Sequence, residues 1–299
     1  MSEHLWTRRR ALAAGVGAVA AAMGTGVELV DHNVLPGKHY LEEIDGACDV
    51  AVPPERFGPP GPTFTGGFYS RARHREVSYT LAYPPGHGRG SRLGLALCLH
   101  GDGGDHASGY GGLPLVHALA GVGLPPIALV QADGGNLYWH PHPGDDPMAM
   151  MIEEVLPMCQ RLGLGVAPHS VAVTGTSMGG YGALVFAETH PELFAACAAI
   201  SPAIWTTYTE AHGANPGAYT NPREFAAYDA VTHTAALARV PVRVASGNDD
   251  PFHLGVEALI ARLPQDAVIE ITGGCHDGSF FASQREASLR FLGAHVVRV

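Results

Sequence analysis

The chain has 299 residues, 46% of them hydrophobic and 15% charged, with a formal net charge of −10. That composition suits one large α/β domain, or two small ones, with a sizeable core. The acidic balance argues against nucleic acid as a partner and against electrostatic attraction to anionic lipid.

From the N-terminus, Thr7-Arg8-Arg9-Arg10-Ala11-Leu12 opens an uncharged Ala/Gly/Val/Met run that lasts to Val27. A basic start followed by such a run is a signal-peptide pattern, and the paired arginines after a threonine resemble a twin-arginine signal. Residues 1–30 are therefore expected to direct export. Ala20-Ala21-Ala22-Met23-Gly24 offers small residues but no sharp A-x-A site, so an uncleaved membrane anchor stands beside a cleaved signal. Secretion, a cell-envelope location and membrane association through this segment all follow as expectations. The Pro- and Gly-rich stretch 31–63 reads as an extended linker or wrapping arm, leaving 64–299 as the catalytic domain.

Within that domain, Phe64–Tyr69 and Glu76–Tyr83 have the look of an antiparallel pair, stopped by Pro84-Pro85-Gly86. Leu93–Leu99, Ile127–Ala132, Ser170–Gly175, Ala195–Ile200, Pro241–Ser246 and Ala267–Thr272 are short apolar runs of the buried parallel-strand type. Helical periodicity falls between them, at Leu113–Val122, Ala149–Leu162, Met178–His190, Leu254–Leu263 and Phe280–His295. The alternation predicts a mostly parallel sheet covered by helices on both faces. Residues 202–235 are the longest stretch without a strand and are expected to form a lid-like insertion over the carboxyl edge of the sheet. The five cysteines, Cys48, Cys98, Cys159, Cys197 and Cys275, show no C-x-x-C spacing. Cys98 and Cys197 lie inside apolar runs and read as small buried hydrophobes.

The strand Ser170–Gly175 leads into Gly175-Thr176-Ser177-Met178-Gly179 and then a helix. This is the form of a nucleophile elbow, G-x-S-x-G, where a strained turn lifts the serine hydroxyl clear of the sheet edge. With 39 glycines in the chain the pattern alone is weak, and its strand-and-helix context carries it. A serine hydroxyl also needs a histidine to take its proton and an acid to orient that histidine. In the α/β-hydrolase arrangement these follow in the order Ser, Asp or Glu, His, each after a strand. After Pro241–Ser246 come Asp249 and Asp250, and after Ala267–Thr272 comes His276. Either aspartate could reach the histidine, leaving the other to cap the next helix. His233 and His253 sit on helix-like segments and are poorer candidates for the base.

A tetrahedral oxyanion calls for backbone N–H groups. Met178, the residue after the serine, and Asp102, in the loop His100-Gly101-Asp102-Gly103-Gly104, are the expected donors, with Gly101 letting the backbone approach substrate. Trp139-His140-Pro141-His142 looks like part of a metal cluster. However, H-x-H on a proline-broken loop has no third ligand at a recognised spacing, so no metal is expected. Trp139 reads instead as an apolar wall at the pocket mouth, and Trp205 as a substrate contact from the insertion.

Leu99-His100-Gly101, Asp133-Gly134-Gly135, Glu154-Val155-Leu156-Pro157, the elbow from Gly175 to Gly182, Ile200-Ser201-Pro202, Gly247-Asn248-Asp249-Asp250-Pro251-Phe252 and His276 together resemble the esterase D family. This α/β-hydrolase group includes S-formylglutathione hydrolases and the antigen 85 mycolyltransferases. The resemblance spans about residues 64–295 and implies an α/β-hydrolase fold and acyl-ester chemistry without a cofactor. It also implies Asp250 as the acid, three residues after the glycine and just before an x-Phe pair. An export signal departs from the cytosolic S-formylglutathione hydrolases. The expectation is an exported serine carboxylesterase acting on a small-molecule or lipid ester through Ser177, His276 and Asp250. The alternatives are an acyltransferase using a sugar or glycerol hydroxyl, and a non-catalytic cell-envelope binding protein on the same scaffold.

Overall fold

A computed structural model describes residues 48, 50–52, 60–108 and 123–297. The expected export segment 1–30, most of 31–63 and the predicted helix Leu113–Val122 lie outside the described residues. The chain divides into two compact units, 1–49 and 50–299, and the elements below belong to the second.

Eight strands form one sheet: β1 (Thr63–Ser70), β2 (Arg75–Ala82), β3 (Gly94–Leu99), β4 (Ile127–Ala132), β5 (Val171–Thr176), β6 (Cys197–Ile200), β7 (Val242–Gly247) and β8 (Val268–Thr272). Their spatial order is β1-β2-β4-β3-β5-β6-β7-β8. β1 and β2 pair antiparallel in a hairpin, and β2 pairs antiparallel with β4. From β4 onward every pairing is parallel. The predicted strands are all present, their ends shifted by two residues at most.

Helix α1 runs through Pro147–Ala149, a π-helical stretch Met150–Val155 and Leu156–Arg161. It is followed by α2 (Met178–Thr189), α3 (Tyr208–Ala214), α4 (Pro222–Ala227), a 3₁₀ turn Thr234–Arg239, α5 (His253–Ile260) and α6 (Gly278–His295). The alternation of side chains along β3 divides the core in two. Leu95, Leu97 and Leu99 pack with residues of α1 and α2 on one face, while Ala96 and Cys98 pack with Phe280, Leu289 and Leu292 of α6 on the other. All six β3 residues are buried, which is why the central strands read as unbroken apolar runs. Cys98, Cys159 and Cys197 are free and buried.

One expectation fails at the end of the sheet. β8 has the apolar run of a buried strand, yet Val268, Ile269 and Ile271 are each more than a third exposed. It is an edge strand, paired only with β7, and its apolar character reflects β propensity rather than burial. Arg243 of β7 anchors the edge from beneath. Its buried guanidinium reaches Glu270 on β8, and Ser288 Oγ (2.8 Å) and Gln284 Oε1 (2.7 Å) on α6.

The hairpin is held to the sheet by polar groups. Arg73, in the turn between β1 and β2, is buried and forms a two-pronged pair with Asp145, Nε to Oδ1 at 2.6 Å and Nη2 to Oδ2 at 3.0 Å. Its Nη1 also donates to the Asp133 carbonyl at 2.5 Å. Glu154 of α1 accepts from Ser70 Oγ (2.5 Å) and from the amides of Arg71 (2.8 Å) and Ala72 (3.3 Å). Asp133 accepts from the amides of Ser78 (3.1 Å) and His106 (2.7 Å). The acidic residues of the D-G-G and E-V-L-P motifs are thus used structurally, as acceptors for turn amides that would otherwise be unsatisfied.

Near the end of α2, burial and the adjacent Asp229 carboxylate push the Glu188 carboxyl up to about 9, and its Oε1 is buried with no hydrogen-bond partner among the described residues. The folded chain therefore keeps a proton that the unfolded chain releases at the ordinary value of 4.5. The stability this group contributes is full below that value and is lost as pH rises through about 9. Glu188→Gln should accordingly match the parent in thermal melts near pH 4 and exceed it by ~2–4 °C or more by pH 8–9.

Candidate active site

Ser177 stands between β5 and α2 with φ 58° and ψ −123°, a left-handed conformation that costs a non-glycine residue of order 1–3 kcal/mol unless its surroundings fix it. They do. Its amide donates to the Ile200 carbonyl (3.0 Å), and its carbonyl accepts from Tyr181 (3.0 Å) and Ala203 (3.1 Å). The flanking glycines are required by contact. A Cβ on Gly179 would lie 1.9 Å from the Leu99 carbonyl oxygen, and one on Gly175 would lie 2.2 Å from the Gly179 oxygen.

The other members of the site come from loops at the carboxyl ends of β7 and β8, where parallel sheets place their sites. His276 Nε2 lies 2.7 Å from Ser177 Oγ, and His276 Nδ1 lies 2.9 Å from Asp250 Oδ2. Asp250 is 1% exposed. Its Oδ1 accepts from the Phe252 amide at 2.9 Å and its Oδ2 faces Ser246 Oγ at 3.5 Å. Asp249 makes a backbone bond to the Gly274 carbonyl (3.1 Å) and has no role at the histidine. His233 contacts the Ala226 carbonyl through Nε2, and His253 the Asp250 carbonyl through Nδ1. Both stand apart from Ser177.

Met178 is the first residue of α2, so its N–H is among the donors that a helix N-terminus leaves free. Gly101 lies close to Ser177, since a Cβ there would lie 3.4 Å from Ser177 Cβ. Asp102 follows in the same turn. That turn is pinned by Gly104 N to Gly101 O (3.0 Å) and by Gly103 N to Asn136 Oδ1 (3.0 Å). His100 supports it from below. Its Nε2 accepts from the Gly134 amide (2.9 Å), so its Nδ1 carries the proton and donates to the Gly101 carbonyl (2.8 Å). Burial lowers the His100 pKa and keeps the ring neutral.

The structure corrects the place of Trp139. It is 1% exposed and lies beneath the site, where its Nε1 donates to the His100 carbonyl at 3.0 Å and its ring packs edge-on to His100 and Phe186. Left-handed φ angles at Tyr138 and Trp139 (57° and 59°) turn the indole inward, and nothing in the sequence marks that turn. Trp205, by contrast, is partly exposed. Its Nε1 donates to the Tyr138 hydroxyl at 2.9 Å, and its ring meets Phe252 at 4.7 Å. Phe252 and Phe281 in turn flank His276 at 4.9 and 5.1 Å. These phenylalanines were not singled out in the sequence, although Phe252 closes the motif that holds Asp250. The third ligand that the His140-x-His142 spacing lacked also appears. Glu224 of α4 stands beside both rings.

Residues 145–276 match the family model described as "Putative esterase". Over this segment the chain is similar to the esterase family. Ester hydrolysis is the chemistry of that family, and the chain is a carboxylesterase-type hydrolase. No curated protein matches it by sequence. Among solved structures, a ferulic acid esterase superposes with a TM-score of 0.69 at 18% identity, over 81% of this chain and 100% of its own. FphF, a fluorophosphonate-binding serine hydrolase of Staphylococcus aureus, gives 0.64 at 16% identity over 79% and 99%. An S-formylglutathione hydrolase from Agrobacterium tumefaciens gives 0.61 at 18% identity over 83% and 98%. At these identities the likeness is one of fold, and the fold is that of the α/β-hydrolases.

Replacing Trp139 by Phe keeps the apolar packing but leaves the buried His100 carbonyl without its donor. The esterase should lose about 1–3 kcal/mol of stability in urea unfolding, and ester turnover should fall with it as the turn carrying Asp102 loosens.

Proposed function

We propose that this chain is an exported serine carboxylesterase in which Ser177 is the nucleophile, His276 the general base and acid, and Asp250 the residue that orients and stabilises the imidazolium. The observation that carries the reading is the unbroken line from Ser177 Oγ through His276 to the buried Asp250 carboxylate, with steps of 2.7 and 2.9 Å. Asp250 accepts at Nδ1, so that proton stays there and Nε2 is free to take the hydroxyl proton. Ser177 Oγ then bonds to the ester carbonyl carbon, and the carbonyl oxygen becomes an oxyanion held by the amides of Met178 and Asp102. Collapse breaks the bond to the alcohol, which leaves with the proton from His276. Water enters, gives its proton to His276 and attacks the acyl-enzyme, and Ser177 recovers that proton as the acid departs.

Export rests on the basic start and apolar run within residues 1–30, the segment that would also carry any membrane association. Cys275, the neighbour of His276, is disulfide-bonded, a state that persists in oxidising compartments. The rings of Phe252, Phe281 and Trp205 around the histidine favour an apolar acyl group. A related fold, AmCE1/Fae1A from Anaeromyces mucronatus, has been solved with ferulic acid, which makes feruloyl esters a natural member of the test panel.

The test is hydrolysis of p-nitrophenyl esters from acetate to palmitate and of a feruloyl ester, with and without trehalose or glycerol. Ser177→Ala should abolish turnover and fluorophosphonate labelling. Asp250→Asn should cost kcat about 10³–10⁴-fold, whereas Asp249→Asn should stay within a few-fold of the parent. Free acid should be the product even with the hydroxyl acceptors present, and acyl-trehalose or acyl-glycerol would assign transfer instead. A folded protein that neither turns over esters nor takes up the fluorophosphonate would leave the binding-protein reading.

A further inference from the structure

A second cluster of chemistry-bearing residues lies outside the serine site and takes no part in its hydrogen bonds. His140 and His142, on the loop after β4, meet Glu224 of α4 across the insertion, and their ligand atoms lie within 4.8 Å of one another. All three are largely or wholly buried, with side chains 0%, 6% and 11% exposed. His140 is also clamped between two rings of the insertion, Tyr219 at 4.9 Å and Tyr228 at 4.6 Å.

The proton positions follow from the partners. His140 Nε2 lies 2.8 Å from the Ala218 carbonyl, and His142 Nε2 lies 2.7 Å from the Leu137 carbonyl. A carbonyl can only accept, so each Nε2 carries the ring proton and each neutral ring presents its Nδ1 as a lone pair. Both Nδ1 atoms lie near one oxygen. Glu224 Oε1 is 3.6 Å from His140 Nδ1 and 3.1 Å from His142 Nδ1. Among the described residues that oxygen is buried without a hydrogen-bond partner, while Glu224 Oε2 accepts from the Thr220 amide (2.8 Å) and hydroxyl. The other neighbour of His140 Nδ1 is also an acceptor, the Pro141 carbonyl at 3.3 Å. Acceptors converge with no hydrogen between them, and such an arrangement calls for a cation.

We propose that His140 Nδ1, His142 Nδ1 and Glu224 Oε1 bind one divalent transition-metal ion, zinc by ligand chemistry. Two imidazoles and a carboxylate are a zinc-type donor set. Across a tetrahedral ion with bonds of about 2.0–2.1 Å, ligand atoms stand about 3.3 Å apart, and the two measured separations bracket that figure. A backbone carbonyl on the far nitrogen of each ring is the partner that metal-bound histidines ordinarily have. The ion's role is structural. It clips the insertion to the loop that carries Tyr138 and Trp139, while the serine, histidine and aspartate of the catalytic site remain untouched.

The experiment uses the full, untagged chain, stripped with a chelator and then titrated with Zn²⁺ and Co²⁺. The parent should take up one equivalent per chain, raise its thermal midpoint by ~2–4 °C or more, and give the intense visible bands of tetrahedral Co²⁺. Ester turnover at low temperature should survive stripping. Glu224→Gln is the matched variant. Its carbonyl still accepts from Thr220 and its NH₂ faces the two Nδ1 atoms, so it should fold, and it should lose the equivalent, the shift and the bands. His142→Asn, read the same way, guards against a folding failure of the first variant. A parent chain with no bound equivalent overturns the proposal and leaves a proton shared between His142 and Glu224. Uptake that is unchanged in both variants also overturns it, because the ion would then reside on other histidines.

Discussion

The contact on which the site depends is the approach of the start of α2 to the end of β3. The Gly179 backbone lies so close to the Leu99 carbonyl that no side chain fits between them. This fixes the helix against the sheet and leaves Ser177 no relaxed conformation, so its strain is borne by the β3–β5 pairing and by bonds to Ile200 and Ala203. A serine on a softer turn would spread over several positions, and a hydrogen bond of 2.7 Å to an imidazole could not be held. Strain and preorganisation are here one property.

The same contact explains the layers beneath it. Leu99 passes directly into His100, whose carbonyl takes the Trp139 indole and whose ring takes the Gly134 amide. The turn carrying Gly101 and Asp102 is therefore supported by buried, fully paired polar groups, the condition under which such groups stabilise rather than cost. Further out, the pairs around Arg73, Asp145 and Glu154 attach the antiparallel hairpin through its turn rather than through its exposed face. Charges buried in that way are expensive unless matched, and here each has two or more partners.

How much of this was legible in the sequence follows from which forces are local. Strands buried on both faces leave continuous apolar runs, so the positions of β3 through β7 along the chain could be read, and the elbow could be read because its glycines are demanded by backbone contact. β8 was misjudged because an apolar run records propensity as well as burial, and only the sheet order tells an edge from a centre. Asp249 and Asp250 are indistinguishable by composition. What separates them is that the backbone turns Asp250 inward, where it accepts from the Phe252 amide and meets His276. Trp139 was placed at the wrong depth for a similar reason, since two successive left-handed residues reverse the direction in which it points.

The insertion between β6 and β7 is where local reading gives least and where the fold has most freedom. Its helices are short, and α4 buries none of its residues completely, so propensity and apolar packing alone would hold it loosely. Its order comes instead from specific partners: the capping box of Thr207 and Glu210 on α3, the Asn221 cap of α4, the stacking of Tyr219 and Tyr228 on His140, and Glu224 between two histidines. The last two join the insertion to the loop after β4, whose Trp139 supports the turn at Gly101 and Asp102 through the His100 carbonyl. Tyr138 on the loop after β4 accepts from Trp205 at the head of the insertion, and Trp205 touches Phe252 beside His276. The Phe252 ring beside His276 is thus tied, through Trp205 and Tyr138, to how the insertion is held.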